Sequence, residues 1–232
     1  MPHTVKHHPS LSVLEQYCDG SLTAEVALVV AAHIDLCPHC QQLTHDIEAD
    51  VASQWFMPGS ASHNGSMSMD AIPAMQHMLA DIMAQPAVHT PSSDTFSKVK
   101  SLDFGGHQFV VPRSLQRLAA KRSKWLTLGG IATSRLPSGD PHHISLLYIS
   151  EQTQVPQHTH QGLEMTLVLA GEIEDENGRY VAGDLIVATP DHTHTPRNVR
   201  EEPCLCLSVL SAPLTFTEGM TRLLNPLQRF FY

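Results

Sequence analysis

The stretch His33-Ile34-Asp35-Leu36-Cys37-Pro38-His39-Cys40 decides how the N-terminal part of the chain folds. Before it, residues 23–36 carry apolar side chains at helical spacing, which predicts a helix that ends just before Cys37. His33 and Cys37 are four residues apart, so they lie on one face of that helix. Pro38 disfavours helical dihedral angles at Cys37 and suits the first position of a new helix, so Cys37 and Cys40 flank a helix start. One imidazole and two thiols held this closely predict three ligands of a tetrahedral zinc site.

A Cys-x-x-Cys pair also occurs as a dithiol redox motif or as two reduced cysteines with a structural role. A redox pair of the thioredoxin type follows a β-strand, whereas the residues before Cys37 are predicted to be helical. The context therefore favours zinc. A fourth ligand is available just before the first helix, where His3, His7 and His8 lie.

Residues 1–55 are predicted to be entirely helical. A first helix ends at Asp19-Gly20, because glycine accepts the left-handed conformation that closes a helix. A third helix is expected from Pro38 to about Trp55, with apolar residues at four-residue steps. Such a small helical unit buries little apolar surface, so a bound metal would add needed stability.

The composition indicates ordinary globular material. The chain has 232 residues, 42% hydrophobic content and a formal net charge of -9, which fits two domains and argues against a nucleic-acid interface. Five cysteines, two of them in the motif above, do not indicate a disulfide framework. No signal region is apparent, and no apolar run approaches the ~20 residues that cross a bilayer. We therefore expect a cytoplasmic protein that does not bind a membrane.

The composition changes after the predicted third helix. Residues 57–69 are rich in Gly and Ser, and residues 86–95 are rich in Pro and Ser, which predicts linkers. Between them, a methionine-rich amphipathic segment predicts a fourth helix at about 70–84. We therefore expect a helical domain at 1–85 and a second domain at 96–232, joined by the linker at 86–95.

From about Phe96 onward, short apolar segments alternate with turn residues, which is typical of a β-sandwich or barrel. The strands are expected at 102–104, 108–111, 125–128, 144–149, 165–169 and 185–188. Residues 114–120 fit either a short helix or an edge strand. Asp175-Glu176-Asn177-Gly178 predicts a hairpin, because Asn-Gly supplies the positive φ angles of a tight reverse turn.

Metal-binding residue types cluster a second time in this strand-rich part. His158 and His160 are two residues apart on a predicted strand, so they point the same way, and Glu164 starts the next strand. A third histidine, His192 or His194, follows the strand at 185–188. Three imidazoles and one carboxylate suit zinc, iron, manganese or nickel.

Taken in this order, the two clusters resemble the ChrR family of zinc-binding anti-sigma factors. The pattern His33-x-x-x-Cys37-x-x-Cys40 is similar to the zinc site of that family, in which the remaining ligand is the second of two adjacent histidines. The resemblance implies that His8 completes the site, with His7 as the alternative.

The second cluster is similar to the two cupin motifs. His158-x-His160-x-x-x-Glu164 matches the first motif, and His194-Thr195-Pro196 matches the second motif as it occurs in ChrR-like cupins. His192 stands where a glycine is usual. The resemblance implies His194 as the third histidine ligand, with His192 as the alternate.

The resemblance also implies a fold and a function. The fold is a multidomain α + β chain, with an N-terminal all-α zinc-binding helical bundle and a C-terminal all-β cupin (double-stranded β-helix or jelly-roll) barrel. The function is that of an anti-sigma factor, which binds and inhibits an extracytoplasmic-function (group IV) sigma factor. The cupin domain is then needed for release in response to singlet oxygen or organic peroxide.

Two further points concern chemistry. The alternative function is a metal-dependent cupin enzyme, a dioxygenase or isomerase, with the zinc module as an accessory; we favour a regulator without enzymatic activity. Cys204 and Cys206 lie two apart on a strand and share a face, which is a poor geometry for a disulfide. They are expected to be buried thiols, with redox-sensing thiols as the alternative.

Overall fold

The computed structural model describes residues 4–56, 71–85, 100–139, 142–219, 221–223 and 225. His3, the linkers predicted at 57–69 and 86–95, and the end of the chain after residue 225 lie outside the described residues. The chain forms two compact units, Met1–His45 with Lys98–Tyr232, and Asp46–Ser97. The domain bounds at residues 85 and 96 stay a prediction.

Three consecutive helices follow the N-terminal segment, as predicted: α1 (Leu11–Asp19), α2 (Ala24–Leu36) and α3 (Pro38–Phe56). The Ser10 hydroxyl caps α1 by accepting the Val13 N–H, and Gly20 closes that helix at φ 76°. Cys37 is extended at φ -118° and ψ 102°, which is the effect expected of the following Pro38. The predicted break between α2 and α3 is therefore confirmed.

The second unit contains the fourth helix, α4 (Ala71–Ala84). The large apolar side chains that the structure describes on this helix are exposed by about half or more, from 48% at Met75 to 77% at Met83. Pro73 lies in its first turn, where no intrahelical hydrogen bond is lost. In the described parts of the chain, no helix is both long enough and apolar enough to cross a membrane.

The rest of the first unit is built almost entirely of short strands, which confirms the predicted change from helical to strand periodicity. Residues 114–120, whose sequence fits either a short helix or an edge strand, contain one helical turn, α5 (Gln116–Ala119). The strands are β1 (Ser101–Phe104), β2 (His107–Val110), β3 (Leu126–Leu128), β4 (Ile131–Arg135), β5 (His143–Ile149), β6 (Thr153–Gln154), β7 (His158–His160), β8 (Glu164–Ala170), β9 (Glu172–Asp175), β10 (Gly178–Val181), β11 (Leu185–Ala188), β12 (Thr193–His194), β13 (Arg197–Asn198), β14 (Cys204–Leu210) and β15 (Leu214–Phe216).

The strands form two main antiparallel sheets, in the orders β11-β8-β14-β5-β4-β3 and β10-β9-β13-β6. Residues of both sheets pack into one buried cluster, which includes Ile149, Val168, Ile173 and Tyr180. A three-stranded sheet, β12-β7-β15, and the hairpin β1-β2 complete the arrangement. α2 packs against β8 and β14, so this helix lies against the larger sheet.

The hairpin predicted at Asp175–Gly178 is present, but the physical reason given for it is wrong. Gly178 pairs with Asp175, so Glu176 and Asn177 form the loop. Neither Asn177 nor Gly178 has a positive φ angle. Instead, the Asp175 carboxylate accepts the N–H groups of Asn177 and Gly178 at 2.8 and 3.2 Å, which closes the turn from the side chain.

Candidate metal centres

Four side chains meet where the segment before α1 crosses the junction of α2 and α3. His33 comes from the last turn of α2, Cys37 from the junction, Cys40 from the first turn of α3, and His8 from the extended segment. His33 Nε2 lies 3.3 Å from Cys40 Sγ, and His8 Nδ1 lies 3.4 and 3.5 Å from the Sγ atoms of Cys37 and Cys40. The four ligand atoms all lie within 4.8 Å of one another.

The donor set and its spacing fit a tetrahedral metal. Zinc bonds to nitrogen and sulfur of the usual lengths place neighbouring ligand atoms about 3.6 Å apart, close to the separations observed. Cys37 and Cys40 are free thiols and are almost completely buried. Burial lowers the pKa of His33 to about 4, and burial together with the neighbouring Cys37 raises the pKa of Cys40 to about 12. Thiolates in this environment therefore need a cation beside them.

Asp184, in the turn between β10 and β11, positions the segment that carries His8. Its Oδ1 accepts the N–H groups of Lys6 and His7 at 2.6 and 2.9 Å, and its Oδ2 accepts that of Val181 at 2.9 Å. The carboxylate is only 1% exposed. Burial by itself raises the pKa of Asp184, but these three N–H donors lower it below its usual value, so the group is an anion at neutral pH.

The neighbouring residues allow this close approach. Gly183 has φ +96°, and a Cβ at that position would lie 2.5 Å from the Val5 side chain. Leu185 donates its N–H to the His7 carbonyl at 3.0 Å, so the segment is also held by its backbone. His7 itself lies outside the four-residue group, with its ring against Asp184 and Tyr180.

A second group forms at one end of the β-sandwich. His158 and His160 lie on β7, Glu164 begins β8, and His194 lies on β12 directly opposite His158. His194 Nε2 lies 3.1 Å from His158 Nε2 and 3.2 Å from His160 Nε2. All four residues are buried, and their ligand atoms lie within 4.8 Å of one another.

Hydrogen bonds on the far side of the rings prepare two of these histidines for a cation. His158 Nδ1 lies 2.8 Å from the Pro156 carbonyl oxygen, and His194 Nδ1 lies 3.0 Å from Asp175 Oδ2. Each acceptor holds the ring proton on Nδ1 and leaves a lone pair on Nε2. Two such lone pairs 3.1 Å apart repel each other, a cation between them would remove this repulsion, and metal–nitrogen bonds give a similar spacing of about 3.3 Å.

The carboxylate of the group is also prepared. Glu164 Oε1 accepts the hydroxyl groups of Thr166 and Ser208 at 2.8 and 3.1 Å. Glu164 Oε2 is buried without a hydrogen-bond partner in the described part of the chain, although His160 Nδ1 is 3.0 Å away. Burial lowers the pKa of His160 to about 4 and also lowers the pKa of His158, so both rings are neutral at pH 7. Neutral imidazoles and a free carboxylate oxygen are what a divalent metal requires.

The alternative ligands that the sequence offered, His7 and His192, lie outside the two groups. His192 is exposed, and its Nδ1 accepts the Thr189 N–H at 3.1 Å, so it lies outside the second group. The supporting carboxylates Asp175 and Asp184 were missed at the sequence level, because the first was interpreted only as a turn residue and the second only precedes the strand expected at 185–188. Cys204 and Cys206 are fully buried free thiols with their Sγ atoms 3.6 Å apart.

Comparison with known proteins places both groups in a wider context. A family model described as the ChrR cupin-like domain matches residues 116–212 and confirms the predicted cupin fold. Anti-sigma-E factor ChrR of Cereibacter sphaeroides is 32% identical over an alignment of 235 positions, which covers 97% of this chain and 99% of that protein. The crystal structure of Rhodobacter sphaeroides SigE in complex with the anti-sigma ChrR matches with a TM-score of 0.65 and 30% identity, over 89% of this chain and 99% of the matched chain.

Proposed function

The chain belongs to the ChrR family of anti-sigma factors, and we propose that it binds and inhibits an extracytoplasmic-function sigma factor. The observation that carries this proposal is the match over nearly the whole chain to a protein that is bound to SigE in its crystal structure. A sigma factor is a subunit of the transcription machinery, so we also propose that the protein acts in the cytoplasm.

The first group is proposed to hold Zn²⁺ through His8, His33, Cys37 and Cys40. When bound, zinc neutralises the two thiolates and fixes their geometry. The chain itself brings the N-terminal segment, α2 and α3 to one point, so these elements present a fixed surface. We propose that residues 1–85 form the sigma-binding domain. α4 is included because its exposed methionine-rich side suits a surface that repacks on a partner.

The second group is proposed to hold Zn²⁺ or another divalent metal (Fe, Mn or Ni) through His158, His160, Glu164 and His194. We propose that the domain at 96–232 uses this site for release of the sigma factor in response to singlet oxygen or organic peroxide. A non-enzymatic role is favoured because Arg179 and Arg197, which together with Arg135 are the three arginines that could have anchored a substrate, are paired with Glu172 and Glu174 instead. The metal-dependent enzyme remains the second candidate, because a cavity adjoins the site.

Co-expression with an extracytoplasmic-function sigma factor of the same organism tests the proposal. We expect the two chains to copurify and the sigma factor to be inactive in transcription until peroxide is added. The double substitution His158→Ala with His160→Ala is expected to retain the sigma factor and to abolish release. Loss of binding in that variant would show that the cupin domain is required for the interface itself, and metal-dependent turnover of small molecules would support the enzyme.

A further inference from the structure

The β-strand part of the first unit contains a cavity of about 480 Å³ that reaches the second group. His158, Glu164 and His194 form part of its wall. Most of the remaining wall is apolar and includes Leu126, Leu128, Ile131, Leu147, Ile186 and Phe216. A volume of this size lies within the range of small-molecule binding sites, about 300–1,000 Å³.

The charges on the wall limit what the cavity can bind. Its acidic residues are Glu164, Glu174 and Asp175, and neither lysine nor arginine occurs among the described residues that line it. A divalent metal at the histidines would be balanced by the carboxylates of Glu164 and Asp175. With the charge of the metal balanced in this way, an anionic ligand would lose its hydration without meeting net positive charge on the cavity wall.

We propose that this cavity binds a neutral, mainly apolar small molecule that carries one oxygen donor. The oxygen lies at the histidine–glutamate group, and the apolar part lies along the aliphatic wall formed by β3, β4 and β5. The placement of the ligand's oxygen rests on the metal site of the proposed function, whereas the placement of its apolar part rests on the apolar cavity wall alone.

Displacement of a neutral fluorophore, N-phenyl-1-naphthylamine, from the full chain tests this proposal. We expect one binding site, from which 1-octanol displaces the fluorophore at a concentration about tenfold or more below that of octanoate. Thr133→Phe, on the cavity wall, is expected to remove binding. Its matched control, Thr127→Phe, replaces an exposed residue of β3 that does not line the cavity, although its neighbours Leu126 and Leu128 do. The control is expected to bind as the unsubstituted chain does.

Two results would overturn the inference: octanoate that competes as well as 1-octanol, or equal binding by Thr133→Phe and the unsubstituted chain. If Thr133→Phe does not fold, the octanol-to-octanoate ratio of the unsubstituted chain still decides. Copurification of the sigma factor is measured on the same preparations, so failure of the cavity inference is distinguished from failure of the anti-sigma function.

A separate set of buried contacts connects the two metal groups through the hairpin β9–β10. His194 Nδ1 lies 3.0 Å from Asp175 Oδ2, and the Tyr180 hydroxyl donates to Asp175 Oδ1 over 3.4 Å. The ring of Tyr180 lies 4.7 Å from the ring of His7, measured between centroids, and His7 immediately precedes His8. Tyr180 is only 6% exposed, so these contacts are closely packed.

We also infer that Tyr180 couples the second group to the segment that carries His8. Loss of the ligands at the second group frees His194 and Asp175, and Tyr180 transmits the change to His7. Energetic coupling between separated sites is carried by chains of packed side chains and hydrogen bonds, and the contacts at Tyr180 form such a chain.

Hydrogen exchange at residues 4–9, which include the Lys6 and His7 amides bound by Asp184, measures this coupling. We expect His158→Ala with His160→Ala to accelerate exchange there about fivefold or more. In a Tyr180→Phe background, which keeps the ring and removes the hydroxyl, the same double substitution is expected to have no further effect. Tyr148→Phe, at another buried tyrosine, is the control and should preserve the acceleration. Unchanged exchange in the double variant, or equal acceleration with Tyr180→Phe, would refute the coupling.

Discussion

Substitution of Asp184 by asparagine tests how the N-terminal segment is held. The carboxylate accepts three backbone N–H groups, from Lys6, His7 and Val181. An asparagine has one acceptor oxygen, so its NH₂ group must face at least one of these donors. A buried backbone donor without a partner costs about 1–3 kcal/mol, and the charge assistance of the remaining bonds is also lost. We therefore expect Asp184→Asn to lower the free energy of unfolding by about 2–4 kcal/mol.

The same change is expected to weaken the proposed zinc site without removing a ligand. His8 directly follows His7, whose N–H group the Asp184 carboxylate accepts. Loss of such supporting contacts typically lowers metal affinity about 10–100-fold. Urea unfolding and competition with a chromogenic chelator measure the two effects, with exposed Asp191→Asn as the matched control. The reasoning is refuted if Asp184→Asn and Asp191→Asn show the same unfolding free energy and the same zinc retention.

Three further predictions concern the β-strand part. An asparagine at position 175 turns its NH₂ group either towards His194 Nδ1 or towards the N–H groups of the turn, so it loses one of the two sets of contacts that Asp175 makes. We therefore expect Asp175→Asn to lower the metal affinity of the second group about 10–100-fold, measured by chelator competition, and to leave the metal affinity of the group with Cys37 and Cys40 unchanged. Gly171→Ala should lower the free energy of unfolding by about 2–4 kcal/mol, because φ is +75° and the new Cβ would lie 2.5 Å from the Pro203 carbonyl oxygen. Gly178→Ala is the control, because a Cβ at that position has no atom within 4 Å. In the metal-free protein, burial lowers the pKa of His160 from 6.5 to about 4, so the unfolded state binds more protons between these values. Stability should therefore fall by up to about 3 kcal/mol as the pH falls from about 6.5 to about 4, and unfolding free energies that rise in this interval would contradict the assignment.

The N-terminal group was predictable from sequence because its geometry is local. Helical spacing places His33 beside Cys37, and Pro38 sets the dihedral angles between the two cysteines. The choice between His7 and His8 is not local. It depends on Asp184, which lies 177 residues from His7 in the chain and holds it away from the group.

In the β-strand part, too, local features were predictable from the sequence and contacts between distant residues were not. Period-two patterns predict its strands, and the pairing of β12 with β7 brings His194 opposite His158. Asp175 was assigned only a role in a turn, because its second role depends on a contact with His194 that forms between distant strands. The loop at Glu176 and Asn177 likewise depends on this side chain, and the Asn-Gly rule does not describe it.

The central claim is that a metal held near the N-terminus shapes the surface that binds the sigma factor. The direct measurement is the zinc content and the sigma-factor content of complexes purified with the unsubstituted chain, with Cys40→Ser and with the control Cys18→Ser. We expect Cys40→Ser to lose the N-terminal zinc and to retain less than about a tenth of the sigma factor, because folding of such small metal sites depends on the metal. A Cys40→Ser chain that lacks this zinc and still binds an equimolar amount of the sigma factor would contradict the account.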